Sequence, residues 1–357
     1  MLYATSNFFN KKLLPKNILI LNARKKTETT VEFCLMHGIN FKMFEIDKDS
    51  LNISPKLRPY TTFLPEEKLY DPQYFIKNLG FVPEYILNYR DEEPITTLEY
   101  ELSLYWKTKT QFDKRALKFF TSKKEQDRIC KLIGTPTLSK GSIDDKIIRK
   151  LDSGKSGGGS GHKIVWKKDY QYRKNDFIQR YINIDYNCNQ HAIIDNNGEY
   201  HIYNHSIGKY GDGNPPVPLN VAYMFLYPYT DFSKEDLDIV HNFYKGLKKH
   251  ITARNRILIP EFVRERNGKL YFQEFNCRPS GEFETGVFDW KVGNYNTLVD
   301  YFTGKITKNI TYHEQRAEIY FGNVYNNSLF GWGKDDDRKS EPFARIQKVK
   351  VWNTKEK

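Results

Sequence analysis

The sequence lacks any apolar run near the roughly 20 residues needed to span a bilayer, so no membrane helix is expected. Its first 17 residues hold no continuous apolar core behind basic residues, and no signal peptide is expected. Cysteine is scarce. Cys34, Cys130, Cys188 and Cys277 are far apart with no C-x-x-C pair, which excludes a disulfide framework and a cysteine zinc site and fits a reducing, cytoplasmic setting. There is no G-x-S-x-G elbow and no cysteine with a nucleophile signature. His162, His191, His201 and His205 show no metal-like or triad-like spacing and read as structural. No internal repeat is found.

What is present is a chain of 357 residues, long enough for two or three domains and a substantial core. Tyr (25) and Phe (24) are abundant, which excludes global disorder. Between Trp106 and Arg180 there are 20 Lys and Arg against 8 Asp and Glu, so this one segment holds the entire net charge of +12. Such a patch attracts nucleic acid, nucleotide or an acidic substrate. Charge alone fits a lysine-rich solvated surface equally simply.

Residues 17–22 form a short continuous apolar run, read as a buried parallel strand. A helix is expected over 27–37, stopped by Gly38. Strands follow at 40–46 and 83–89, then a helix at 96–106. This alternation implies an α/β layer with a parallel sheet. No glycine fingerprint follows the first strand, so a dinucleotide site is excluded. Further on come a helix at 124–133 ended by Gly134-Thr135-Pro136, strands at 146–151 and 163–167, and a strand-like stretch at 176–184. A hairpin is expected over 191–205, a Gly/Pro loop over 209–218 and an amphipathic helix over 233–251. Beyond Gly304 the pattern alternates like strands.

Two constellations carry chemistry. The first is the loop 152–161, with five glycines between two strands. Its exposed N–H groups suit phosphate oxygens, although Gly/Ser composition also reads as a linker. It is not a Walker loop, because Arg149 stands where a glycine is required. The second is a hairpin over 257–276. Asn267-Gly268 predicts a two-residue type I′ turn with Arg266 facing Lys269. Glu261 then falls opposite Glu274, and like charges facing across strands are destabilising. A bound cation relieves this, as neighbouring Lys or Arg would. Asn276 lies on the face of Glu274, and two carboxylates plus an amide oxygen suit Mg²⁺ that also holds phosphates. A glycosidase carboxylate pair explains neither Asn276 nor the glycine loop. Arg278, just beyond, is placed to meet an anion.

Taken in order, these elements resemble the ATP-grasp superfamily of carboxylate–amine ligases over 122–304. Ser122-Lys123 with the following helix and Ile133-Gly-Thr-Pro136 look like the opening of the lid. Ile147-Ile-Arg-Lys150 and the glycine loop look like the lysine-bearing strand and phosphate flap. Asp176-Phe-Ile-Gln179-Arg180-Tyr181-Ile182 looks like the adenine-binding hinge. Glu261, then Glu274-Phe-Asn276-Cys-Arg278-Pro-Ser-Gly281, looks like the metal acids, metal asparagine and arginine. The resemblance implies an α/β (α+β) ATP-grasp fold. It would comprise an N-terminal Rossmann-like pre-ATP-grasp domain (1–115), a small lid (116–182), a large antiparallel-sheet subdomain (183–312) and a β-rich extension (313–357).

By that resemblance Lys123 and Lys150 contact phosphates, covered by Ser156, Gly157, Gly158 and Gly159. Gln179 and the backbone of Arg180, Tyr181 and Ile182 hold adenine, and Asp185 takes the ribose. Glu261, Glu274 and Asn276 hold Mg²⁺ (or Mn²⁺), and Arg278 with Lys209 steadies the transferring phosphoryl group. Three departures stand out: the long glycine loop, Leu151 where a proline is usual, and Ile259 where some relatives carry arginine. The implied activity is Mg²⁺-dependent use of ATP to activate a carboxylate as an acyl phosphate and join it to an amine, with amino acids or peptides as substrates. The alternatives are a phosphotransferase that stops at a phosphorylated product, and a nucleic-acid-binding protein stacking bases on Trp166, Tyr170 and Tyr172.

Overall fold

The computed structural model describes residues 13–22, 27–46, 53, 55–90, 92–139, 146–152, 163–211, 217–226, 232–266, 268–278, 302, 315–321 and 346–353. The first sheet is wholly parallel. It contains β1 (Asn17–Leu21), β2 (Asn40–Ile46), β3 (Thr61–Leu64) and β4 (Tyr85–Asn88), in the order β3-β2-β1-β4. β1 shows no polar alternation because both its faces are covered. Ile18 and Ile20 pack with Val31, Phe33 and Cys34 of α1 (Glu28–His37). Leu19 and Leu21 pack with Phe75 of α3 (Pro72–Asn78) and with Ile95, Leu98 and Leu102 of α4 (Glu93–Trp106). Gly38, at φ 67°, ends α1 where expected. β3, the one-turn α2 (Glu66–Leu69) and α3 fall where the sequence pattern shows no element. Each is short, and α3 depends on Asp71 capping Gln73 N–H behind Pro72.

Next come β5 (Gln111–Phe112), α5 (Lys114–Thr121) and α6 (Lys123–Leu132). The α6 N-terminus is capped by Ser122 Oγ, 3.2 Å from Glu125 N. A three-stranded antiparallel sheet follows, with β6 (Lys146–Leu151) between β7 (Lys163–Trp166) and β8 (Asp176–Arg180).

The largest sheet is antiparallel throughout. It contains β9 (Ile184–Ile194), β10 (Tyr200–Gly211), β11 (Val217–Leu226), β13 (Arg256–Glu265), β14 (Leu270–Asn276), β15 (Gln315–Phe321) and β16 (Ile346–Asn353). β14 is one edge, followed by β13, β9, β10, β11, β15 and β16. β15 and β16 therefore continue the central sheet. α7 (Lys234–Leu247) precedes β12 (Ala253–Arg254), which pairs with β5.

α5, α6 and α7 cover one face of this sheet, where Phe119, Cys130 and Phe243 meet Ala192, Leu258, Phe262 and Phe272. On the other face, Ile193 and Ile257 join the core of the parallel sheet. Val263 joins Leu138, Ile182 and Ile184 near the three-stranded sheet. Alternation along β13 places Ile257, Ile259, Glu261 and Val263 on that one face. Glu261 thus sits on that face between two packed ends. All four cysteines are free and buried.

Candidate active site

The hairpin brings the two acids opposite each other by a route that differs from the expected one. The turn is not a two-residue type I′. Glu265 N bonds Lys269 O at 2.8 Å, Gly268 N bonds Glu265 O at 2.8 Å, and Gly268 has φ 88°. This is a three-residue connection closed by a glycine in the left-handed region. The register therefore begins one residue away from prediction, with Arg264 opposite Leu270. A β-bulge between Glu261 and Phe262 then restores it, and Glu261 pairs with Glu274 and Ile259 with Asn276. The extra residue on β14 is Gln273. Its insertion lets Phe272 and Phe275, three apart, both enter the helix-covered core. The break in alternation at 272–275 was the signal in the sequence.

Around the acids the predicted polar groups converge. Asn276 Nδ2 donates to Glu261 Oε1 at 2.6 Å. Asn189 of β9 pairs with Glu261 from the other side. Lys150 of β6 is 1% exposed, and its Nζ donates to Glu274 Oε2 at 3.3 Å. Burial pushes the Lys150 ammonium below the ordinary lysine range. The charges of Glu274 and Glu261 oppose that shift, while the charge of Lys123 adds to it. Lys123, at the start of α6, is thus electrostatically coupled to the same cluster. Asp152, just past β6, fixes that helix end by accepting from Ser122 Oγ (3.0 Å) and Lys124 N (2.7 Å).

β14 is an edge strand, yet its outer backbone groups are occupied. Phe272 N bonds Pro136 O at 2.8 Å. Gln179 Nε2 donates to Gln273 O at 3.0 Å. The Gln126 side chain bonds both sides of Phe275: its Nε2 donates to Phe275 O (3.2 Å), and its Oε1 accepts from Phe275 N (3.1 Å). Gln126 was not singled out from the sequence. It lies among Glu125 and Asp127, also buried, and nothing in that polar run marks it.

The remaining residues fall as follows. Gln179 is buried, with its Oε1 left without a protein partner. Arg180 N is engaged by Leu138 O at 2.8 Å, and its guanidinium meets Glu265 at 3.3 Å and lies over Tyr271. Tyr181 and Ile182 lie in the connection between β8 and β9, and Asp185 is exposed on β9. Arg278 directly follows Cys277 at the end of β14. Lys209 is not on a loop as expected. It lies in β10 opposite Tyr186, a register distinct from the Glu261–Asn189 pair, because β10 runs on to Gly211. Ser156, Gly157, Gly158 and Gly159 lie outside the described residues.

Two carboxylates and an amide are hard oxygen donors. Among the described residues no group of three or more His, Cys, Asp or Glu could form a full metal cage. A two-carboxylate set fits a cation such as Mg²⁺ that completes its shell with other oxygens.

No protein-family model matches the chain, and no curated protein matches it in sequence. Solved structures do match in fold. The chain is similar to N5-carboxyaminoimidazole synthetase from Staphylococcus aureus complexed with ADP. There the TM-score is 0.63 at 15% identity, over 97% of this chain and 95% of that one. It is similar to biotin carboxylase from Campylobacter jejuni (TM-score 0.64, 13% identity, 87% of this chain and 76% of that one). It is also similar to L-amino acid ligase from Bacillus licheniformis (TM-score 0.59, 16% identity, 86% and 80%). These neighbours carry an ATP-grasp fold, and the likeness to them is one of fold. Among the described residues no helix is long and apolar enough to cross a membrane.

Proposed function

We propose that the protein is an Mg²⁺- and ATP-dependent ligase that activates a carboxylate as an acyl phosphate and joins it to an amine. The observation that carries this is the register pairing of Glu261 with Glu274, on one face with Asn276 and beside the buried Lys150. The domain division we favour is an N-terminal α/β domain (1–115), a lid (116–182) and a metal and substrate subdomain (183–312). Residues 313–357 form an extension whose strands continue the central sheet.

In this reading Glu261, Glu274 and Asn276 hold Mg²⁺, which when bound neutralises phosphate charge. Lys150 and Lys123 bind the phosphates, under the loop that carries Ser156 and Gly157–Gly159. The buried Oε1 of Gln179 accepts from the amino group of adenine, the 180–182 connection lines its edge, and Asp185 takes the ribose. A carboxylate oxygen attacks the γ-phosphorus of ATP and the bond to ADP breaks. Lys150, Lys123 and Arg278 spread the developing charge, with Lys209 in a supporting role. The amine then attacks the acyl carbon, inorganic phosphate leaves, and the amine loses its proton. Both steps need the reacting groups held together with water excluded.

The neighbours act on different partners, and one is named as an amino acid ligase, so amino acids and acidic peptides are the first substrates to try. The test is an ADP-release screen of these compounds with Mg²⁺, followed by mass spectrometry. ADP with an amide product supports ligation. ADP with a stable phosphorylated compound makes the protein a phosphotransferase, and Mg²⁺-independent turnover removes the metal assignment.

A further inference from the structure

We propose that Gln126 is a positioning residue, whose amide sets where Glu274 and Asn276 stand on β14. This rests on the reading of those two residues as Mg²⁺ ligands.

The strand that bears them is poorly fixed by its own sheet. β14 is an edge strand, with one row of backbone groups turned away from the ladder. The bulge at Gln273 interrupts the ladder one residue before Glu274. Phe275 pairs with Pro260, and its N–H and C=O both turn away from β13. Phe275 is the residue between the two ligands, and the buried Gln126 bonds both its N–H and its C=O. A primary amide is the neutral side chain that donates and accepts at once, as a neighbouring strand residue would.

The same amide joins two parts of the site. Gln126 lies three residues after Lys123, on the same face of α6. Docking Gln126 onto Phe275 therefore also sets the distance between the Lys123 end of the helix and the acids. Lys150 reaches Glu274 from a different sheet.

The test is calorimetric titration of ADP into the full-length protein with and without Mg²⁺, with thermal melts alongside. In Gln126→Met, ADP affinity without metal should match wild type, while the tightening produced by Mg²⁺ should fall by about tenfold. Gln126→Glu keeps the acceptor for Phe275 N–H and should lose less. It also serves should the Met variant not fold. Full Mg²⁺ tightening in both variants overturns the proposal. So does a parallel loss of metal-free ADP affinity and melting temperature, which is what a merely structural role gives. Wild-type protein whose ADP binding ignores Mg²⁺ refutes the metal reading itself, independently of Gln126.

Discussion

Two glutamate–cation pairs of this molecule, Glu99–Arg256 and Glu274–Lys150, are built differently. Glu99 of α4 is gripped by Arg256 of β13. One guanidinium nitrogen bonds Oε1, the other bonds Oε2 at 2.9 Å and also the Cys277 carbonyl at 3.1 Å. The Arg256 guanidinium also lies over the rings of Phe112 and Phe120, at 4.4 and 4.9 Å. Glu274 has from Lys150 a single 3.3 Å contact, and its side chain remains 19% exposed. A planar fork with both oxygens engaged is a fixed strut that ties α4 to the central sheet. A point charge on a half-open carboxylate can be shared with an incoming phosphate or metal. Burial alone does not mark a functional acid; the geometry of its contact with the cation separates these two.

The largest effect that sharpens this contrast is on stability. Arg256→Ala leaves Glu99 charged in a site where burial already pushes its carboxyl up, and should cost about 3–5 kcal/mol in urea unfolding. A cost below about 1 kcal/mol would show that the strut is not one. Glu274→Gln should behave the other way. Stability should fall by less than in Arg256→Ala, because the amide oxygen still accepts from Lys150 Nζ, while ATP turnover falls at least about 100-fold. If Glu274→Gln instead unfolds the protein and retains turnover per folded molecule, the two pairs have exchanged roles.

The sequence made different parts of this contrast legible. β1 and β6 carry continuous or end-marked apolar runs, and their limits agree with the pattern to within a residue. The sequence pattern places Glu261 opposite Glu274, as observed, through a turn one residue shorter than the real one. The left-handed Gly268 lengthened the turn by one residue, the bulge at Gln273 took it back, and local turn chemistry could show only the first half. Arg256 and Glu99 are 157 positions apart, and no local pattern joins them. Gln126 is equally silent, because its role depends on meeting a backbone 149 residues away. The four-residue β3 is too short for alternation to stand out from its surroundings.

A third pair gives the smallest and most local prediction. Asp176, at the start of β8, accepts from Arg149 Nε of β6 (2.7 Å), from the Tyr170 hydroxyl (2.7 Å) and from Arg173 N (3.2 Å). Burial by itself would raise its carboxyl, but these donors outweigh burial and hold it below the usual aspartate range. A carboxyl lowered on folding adds stability above its unfolded pKa of about 3.9, and that increment disappears as the pH falls through the lower folded value. Hydrogen exchange over 146–151 and 176–180, corrected for intrinsic rates, should therefore show protection of this small sheet dropping between pH 5 and pH 3. Asp176→Asn should already be less protected at pH 5 and should change little on acidification. A wild-type sheet equally protected at both pH values would show that the donors around Asp176 do not couple its carboxyl to the stability of this sheet.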